Sequence, residues 1–230
     1  MRQIEPIAQI KTDFPTKFGI PRQSGLVEEL KGMIIFAPKY RRQEALRGLE
    51  GFSHIWLIWG FLQEEGKDWS PTVRPPRLGG NKRMGVFATR APFRPNGLGL
   101  SCVRLESLRK DHPEYGPVLY VLGADLMDQT PIYDIKPYIP HSDCQPGAEG
   151  GFSTSLTGDL LQVQIPQEWE NCIPEEKRAV LKKILAQDPR PSYQQNSSRI
   201  YGFSFAGMEI KFKVQSGILT VCAVELQKNA

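Results

Sequence analysis

The stretch LSCVRLESLRKDHPEYGPVLYVLGADLMDQTPIYDIKP, residues 100–137, decides the fold. It holds three runs typical of β-strands, at 100–108, 117–124 and 131–137, with turn-forming residues between them. Similar runs occur at 4–10, 33–36, 54–62 and 84–88, and residues 63–80 are irregular. Because few convincing helical patterns separate these runs, the sequence predicts an antiparallel β-barrel or β-sandwich and not a parallel βαβ array.

The C-terminal third has a different character. The small-residue segment QPGAEGGFSTS at 145–155 is typical of a domain junction, so we expect domains at 1–148 and 152–230. Residues 174–187 predict a helix that opens with Pro and two glutamates, and strands are predicted at 160–165, 200–206, 209–214 and 218–226. These elements indicate a small α+β domain.

Composition narrows the class of protein. The 230 residues are 40% hydrophobic with a net charge of +4, as in folded and mildly basic proteins. The four cysteines of the chain form no C-x-x-C pair, and its histidines are not clustered. We therefore expect no disulfide framework and no metal site. The N-terminus has no apolar core of a signal peptide, and we expect a cytoplasmic protein without a membrane span.

Charge is distributed unevenly. Residues 69–105 contain no acidic side chain but seven cations. A solvated surface normally mixes both signs, so this stretch favours a polyanionic partner such as nucleic acid; the alternative is that its arginines pair with acids elsewhere. The seven are Arg74, Arg77, Lys82, Arg83, Arg90, Arg94 and Arg104.

Two segments carry candidate chemistry. RAPFRPNGLGLS, residues 90–101, presents Arg90, Arg94 and Asn96 among prolines and glycines, which suits the binding of a small charged ligand, although it can also be a plain connecting turn. In LMDQTPIYDIKPYIP, residues 126–140, a period of two places Asp134, Lys136 and Tyr138 on one face. They form either a surface ladder or a set of acid–base groups. No glycine-rich dinucleotide, P-loop or nucleophile-elbow motif is present.

Several long strings resemble one family in order and spacing. They are KFGIPRQSG (17–25), LRGLEGFSHIWLIWGF (46–61), RPPRLGGNKRMGVFATRAPFRPNGLGLS (74–101), DLMDQTPIYDIKPYIP (125–140) and LAQDPRPSY (185–193). The chain resembles the TsaA/TrmO family of tRNA N6-methyltransferases. The resemblance implies an antiparallel β-barrel methyltransferase domain of non-Rossmann type that uses S-adenosyl-L-methionine. It further implies a homodimer that methylates threonylcarbamoyladenosine at position 37, beside the anticodon, in threonine tRNAs.

The resemblance also carries over site residues. The cofactor contacts it implies are Pro21, Arg22, Gln23, Leu62, Gln63, Arg90, Leu100, Met127, Asp128, Gln129 and Thr130. Gln129 stands where the family has glycine, so we expect a positive φ there.

For the substrate, we expect Arg94 and Asn96 to face the modified nucleoside, with Arg94 or Lys136 binding its carboxylate. Asp134 is the candidate catalytic base, because the ureido nitrogen must lose a proton, and Lys136 and Tyr138 would orient it. We expect phosphates to be bound by Arg74, Arg77, Lys82 and Arg83.

Residues 152–230 are expected to add RNA contacts through Arg190, Arg199, Lys182 and Lys183. Two other functions fit the same residues. One is a non-catalytic RNA-binding barrel, and the other is an S-adenosylmethionine-dependent methyltransferase with a different substrate.

Overall fold

The computed structural model describes residues 3–61, 68–75, 78, 81–156, 160–190 and 197–227. Within these ranges the chain is mostly β. The strands are β1 Ala8–Thr12, β2 Lys31–Phe36, β3 His54–Gly60, β4 Thr72–Val73, β5 Met84–Gly85, β6 Leu98–His112, β7 Gly116–Leu122, β8 Thr130–Pro137, β9 Gln162–Gln164, β10 Tyr201–Phe205, β11 Met208–Gln215 and β12 Ile218–Leu226. The α-helices are α1 Pro140–Asp143, α2 Gln167–Glu170 and α3 Glu175–Ala186.

Six strands close into a barrel in the order β1-β2-β7-β6-β3-β8, and each neighbouring pair is antiparallel. Closure satisfies the backbone hydrogen bonds that an open sheet would leave at its edges. Alternate side chains, such as those of Ile10, Leu57 and Leu119, fill the interior and are fully buried. The predicted antiparallel barrel is confirmed, and the β-sandwich alternative is excluded.

A β-bulge in β8 changes which face its side chains occupy. Opposite β3 the register shifts, so that Ile58 pairs with Asp134 but the next residue, Trp59, pairs with Ile132. Ile132 points into the barrel, and the extra residue at 133 turns Asp134 outward. The side chains of Asp134 and Lys136 form a 3.2 Å ion pair while 48% and 63% exposed, so they do share the predicted face.

The C-terminal part forms a four-stranded sheet in the order β10-β11-β12-β9, in which β9 runs parallel to β12. Helix α3 contributes Leu181, Ile184 and Leu185 to the core against this sheet. Apolar residues at 180, 181, 184 and 185 recur with helical spacing and predict this buried face, and the small α+β region is confirmed.

The connection between β1 and β2 joins the two parts. Phe14, Val27 and Leu30 belong to the hydrophobic core of the C-terminal sheet and not to the core of the barrel. Gly19 adopts φ +94°, and a Cβ there would lie 2.2 Å from the ring of Phe203. Glycine at this position therefore permits the left-handed backbone and the close approach together.

Some sequence-based bounds differ from the structure. The first strand was predicted at 4–10 but spans Ala8–Thr12, because pairing with β2 continues as far as Gly32. The run predicted at 84–88 divides into the short strand β5 and a 3₁₀ turn at Val86–Ala88. Strand β3 is buried on its inner face, whereas its outer side chains, such as that of Trp56, are half-buried.

Candidate active site

A cavity of about 340 Å³ opens where β3 ends and β6 begins. Its size lies within the range of roughly 300–1,000 Å³ that is usual for small-molecule sites. Five of the predicted cofactor residues and Arg94 line it. The lining residues are Pro21, Arg22, Gln23, Trp59, Phe61, Thr89, Arg90, Arg94, Leu98, Gly99, Leu100 and Asp125.

One wall is the segment Pro21–Gln23 in the β1–β2 connection. Gly25, with φ +79°, turns the chain after this segment, and its N–H donates to the Gly123 carbonyl at 2.9 Å. Within the segment, Gln23 Nε2 donates to the Arg22 carbonyl at 2.6 Å. The side-chain oxygen of Gln23 accepts a hydrogen bond from Arg90 Nη1 on the opposite wall. Gln23 therefore links the two walls.

The opposite wall is the loop that precedes β6. Arg94 Nη1 donates to the carbonyls of Val86 at 3.0 Å and Thr89 at 2.7 Å, so this side chain closes the loop from within. Its guanidinium carbon lies 5.7 Å from the ring centre of Phe87, a cation–π contact. Arg94 therefore shapes the cavity as well as lining it, and Arg90 beside it is exposed.

The floor is a hydrogen-bonded chain of three side chains. Trp59 Nε1 donates to Ser101 Oγ at 3.0 Å, and Ser101 Oγ donates to Asp125 Oδ1 at 2.6 Å. Burial raises the pKa of Asp125, although the Ser101 hydroxyl and the nearby guanidinium of Arg90 act in the opposite direction. Asp125 was not among the site residues predicted from the sequence. The available clue was an acidic residue between two apolar residues, Ala124 and Leu126, both of which are buried.

The chemistry of the cavity suits a ligand that carries both charges. Its lining includes three guanidinium groups, which bind carboxylates, and one partly buried carboxylate, which stabilises a cation. Trp59 and Phe61, whose ring centres lie 4.5 Å apart, offer aromatic surface for a planar group. S-adenosylmethionine combines an amino acid, a sulfonium and an adenine, so the residues present fit it.

The predicted turn Met127–Thr130 does not line this cavity. Asp128 Oδ1 accepts from the Thr12 N–H at 2.9 Å, and Thr130 Oγ1 donates to the Met127 carbonyl at 2.7 Å. Both side chains therefore hold the turn in shape. Gln129 is exposed with φ +64°, which confirms the positive φ predicted for this position.

The predicted catalytic face also lies apart from the cavity lining. Asp134, Lys136 and Tyr138 lie on the outside of the barrel, where the Tyr138 ring centre is 5.8 Å from that of Trp56. Trp56 Nε1 donates to Asp143 Oδ2 at 3.0 Å. This bond and the Ile139 N–H lower the pKa of Asp143, with the backbone bond contributing most.

In residues 69–105, the stretch without acidic side chains, several polar and basic side chains are exposed. Arg74, Lys82 and Asn96 are exposed, and Arg83 donates from Nη1 to Thr72 Oγ1 at 3.0 Å. Between described residues, the cations of this stretch form no ion pair with a carboxylate, so the alternative of internal pairing has no support there. Leu62, Gln63 and Arg77 lie outside the described residues.

Three of the C-terminal cations that were expected to contact RNA form contacts within the protein. Lys183 pairs with Glu29, and Arg190 pairs with Asp188. The Arg199 guanidinium lies 5.3 Å from the ring centre of Tyr201. Across the described part of the chain, no helix has the length and apolarity that crossing a membrane requires.

Two family models match the chain. Residues 9–144 match the tRNA-methyltransferase O N-terminal domain, and residues 159–227 match the TrmO C-terminal domain. Together the two matches include most of the chain.

Individual relatives agree with the family models. The tRNA (adenine(37)-N6)-methyltransferase of Escherichia coli K12 is 39% identical, over 97% of each chain. A Pseudomonas aeruginosa protein described as an S-adenosylmethionine-dependent methyltransferase is 38% identical, over 90% of each chain. A crystal structure of TrmO superimposes with a TM-score of 0.78 at 32% identity and covers 98% of this chain and 99% of its own.

Proposed function

The chain belongs to the tRNA-methyltransferase O family, and on this premise we propose that it methylates N6 of threonylcarbamoyladenosine at position 37 of threonine tRNAs, using S-adenosyl-L-methionine. The names of its relatives support methylation of adenine 37 in tRNA and dependence on S-adenosylmethionine. The observation that carries the proposal is the cavity beside β6, where arginines and one carboxylate meet aromatic side chains.

We assign this cavity to the cofactor. S-adenosylmethionine supplies a methyl group already activated by the positive charge on sulfur. Arg22 and Arg90 would bind its carboxylate, and Asp125 would favour the cationic part. Trp59 and Phe61 offer the surface for its adenine. The predicted contacts of Met127–Thr130, Leu62 and Gln63 belong to the same proposal.

The modified nucleoside would approach from the loop that precedes β6. Arg94 lines the cavity, and Asn96, two residues further along the chain, is exposed. We expect both side chains to face the nucleoside. The threonyl group carries a carboxylate, for which the remaining N–H groups of Arg94 or the ammonium of Lys136 are suitable partners.

Methyl transfer to a ureido nitrogen requires the loss of its proton. The lone pair of this nitrogen is delocalised into the adjacent carbonyl, so removing the proton increases its nucleophilicity. Asp134 is the proposed base, with Lys136 holding its carboxylate at 3.2 Å. Tyr138, on the same face, would help to orient Asp134.

The exposed cations would bind the tRNA backbone. Arg74, Lys82 and Arg83, together with Arg77, would neutralise phosphates around the anticodon loop. We further propose a cytoplasmic homodimer and a division into a barrel domain, 1–148, and a C-terminal domain, 152–230, that adds RNA contacts.

A comparison of two substrates tests this function. Purified protein would be incubated with S-adenosylmethionine and threonine tRNA that either carries or lacks the threonylcarbamoyl group, followed by mass spectrometry of position 37. We expect one added methyl group on the modified tRNA alone. Transfer to both tRNAs would indicate a different substrate requirement, and cofactor or tRNA binding without transfer would indicate a non-catalytic RNA-binding protein.

A further inference from the structure

The turn after α3 is held by a charge-assisted pair. The Arg190 guanidinium binds the Asp188 carboxylate through two bonds, Nε to Oδ1 at 2.8 Å and Nη2 to Oδ2 at 2.9 Å. The Arg190 side chain is only 14% exposed, and the pairing raises its pKa. Asp188 itself has φ +51°, a left-handed conformation that this pair helps to maintain. The pair therefore fixes the direction of the backbone carbonyls in the turn.

Those carbonyls hold a residue of the cavity. Arg22 Nη2 lies 3.3 Å from both the Asp188 oxygen and the Arg190 oxygen, 166 and 168 residues away in sequence. Hydrogen bonds from a charged donor to carbonyls depend on their direction, so the position of Arg22 depends on the shape of this turn.

The rest of the β1–β2 connection is bound to the C-terminal part as well. Lys177 Nζ of α3 lies 2.5 Å from Asp13 Oδ2, and both side chains are about three-quarters buried. Lys183 of the same helix pairs with Glu29 at the other end of the connection. The segment that forms one wall of the cavity is therefore anchored to the C-terminal part at both ends of the connection.

Contacts continue from Arg22 to the other side of the cavity. The Arg22 carbonyl accepts from Gln23, Gln23 accepts from Arg90, and the backbone of Ser24 beside Gln23 acts to lower the pKa of the Asp125 carboxyl. A change in the turn at 188–190 can thus reach both walls and the floor.

We propose that Asp188 and Arg190 are positioning residues for the cofactor: they hold Arg22 in place, so that the C-terminal part sets cofactor affinity in addition to any contact with RNA. The inference rests on the proposed function, because the cofactor is the one assigned above. The proposal also gives Arg190 a role different from phosphate binding. Because two bonds hold the Arg190 guanidinium to Asp188, this side chain is poorly placed to bind a phosphate.

The test separates cofactor binding from tRNA binding. Asp188→Asn and Arg190→Gln would be compared with the wild type by calorimetric titration of S-adenosylmethionine and by tRNA filter binding. We expect cofactor binding to weaken about tenfold, as for the loss of a hydrogen bond between charged groups, and tRNA binding to stay within about twofold. Lys211→Gln, which breaks an exposed pair with Glu225 on the same sheet, is the matched control and should change neither affinity.

Further variants exclude a merely structural effect. Asp188→Gly still accepts the left-handed φ, so the chain can fold through the turn, but it removes the partner of Arg190 and with it the pair that fixes the directions of the carbonyls. It should weaken cofactor binding without a large loss of thermal stability. Combining Arg22→Lys with Asp188→Asn should weaken binding no more than Arg22→Lys alone, because both changes act through Arg22.

Three results would overturn the inference: unchanged cofactor affinity in folded variants, additive losses in the double variant, or weaker tRNA binding with normal cofactor binding. A wild-type protein that does not bind S-adenosylmethionine would instead contradict the proposed function, so the two failures are distinguishable.

Discussion

Gln23 and Arg90, 67 residues apart in sequence, are joined by a hydrogen bond that spans the cavity from one wall to the other. Arg90→Met removes both the bond and a cation while it keeps much of the side-chain volume. We expect S-adenosylmethionine to bind about tenfold or more weakly, because a charge-assisted contact is lost. Calorimetric titration measures the change.

Arg109 provides the control for this prediction. It is 52% exposed on β6 and pairs with Asp111, away from the cavity lining. Arg109→Met should leave cofactor affinity unaltered. Equal losses in the two variants would mean that total charge, and not Arg90, governs binding.

The partly buried carboxyl group of Asp125 predicts a pH dependence of stability. Because the pKa of Asp125 is raised in the folded state, the folded protein binds this proton more tightly than the unfolded chain does. This group therefore favours folding below the ordinary aspartate pKa, and that contribution is lost as the pH rises through the raised value. Relative to Asp125→Asn, the wild type should lose free energy of unfolding over this window.

Urea denaturation of both proteins between pH 3.5 and 7.5, at roughly half-unit steps around the ordinary aspartate pKa of about 3.9, measures the difference. Asp111→Asn, at an exposed aspartate, serves as the reference. A wild type that gains stability over the variant with rising pH would show that Arg90 and Ser101 outweigh burial.

Asp134→Asn tests the proposed base. The side chain keeps its shape but cannot accept the proton at neutral pH, so we expect the rate constant of the methyl-transfer step to fall by about 10²–10⁴-fold with cofactor affinity unaltered. Single-turnover kinetics with modified tRNA measure the step. Full transfer activity in this variant would show that Asp134 is not the base. Its pair with Lys136 would then be a surface ion pair alone.

Gln129→Gly should stabilise the protein. Gln129 adopts φ +64°, where a side chain is strained, whereas glycine accepts this conformation readily. We expect the free energy of unfolding to rise by about 0.5–1 kcal/mol, measured by chemical denaturation. At Gln187, with φ −73°, the same replacement should destabilise the protein. A loss of stability at both positions would contradict the assignment of strain to Gln129.

Gly99→Ala should damage the cavity floor. A Cβ on Gly99 would lie 2.4 Å from the Trp59 ring, which must then move away from Ser101. We expect a loss of about 1–3 kcal/mol in the free energy of unfolding, together with weaker cofactor binding. Gly51→Ala is the control, since no atom lies within 4 Å of the added carbon. If both replacements are tolerated equally, the contact with Trp59 is not restrictive.

The barrel strands were predictable because their signals are local. Alternating apolar residues and frequent turns fix strand type, and the strands at residues 98–137 differ from their predicted bounds by a few positions. Closure into a barrel was not predictable from periodicity alone. Closure depends on which strands pair. The barrel was chosen over the sandwich because whole strings of the sequence resemble a family that has a barrel.

The cavity was predicted in part for a similar reason. Gln23 and Arg90 were carried over from distinctive strings, whereas Asp125, although it begins the string at 125–140, is recognised as a site residue only from its hydrogen bond to Ser101 and its place in the cavity lining. Period two correctly places Asp134 and Lys136 together but does not say which side of the barrel they face. The bulge at residue 133 decides that, and a bulge leaves no clear sequence pattern here.

The apolar side chains of Phe14, Val27 and Leu30 have a consequence for folding. They extend from the barrel connection and complete the core of the C-terminal sheet, so the connection cannot bury these side chains without the C-terminal part, and that part cannot complete its core without the connection. Heating should therefore melt the protein in one cooperative transition, with calorimetric and van't Hoff enthalpies in agreement. A chain truncated after residue 148 should expose these three residues and aggregate, which makes the intact two-part chain the smallest unit in which the cavity can be studied.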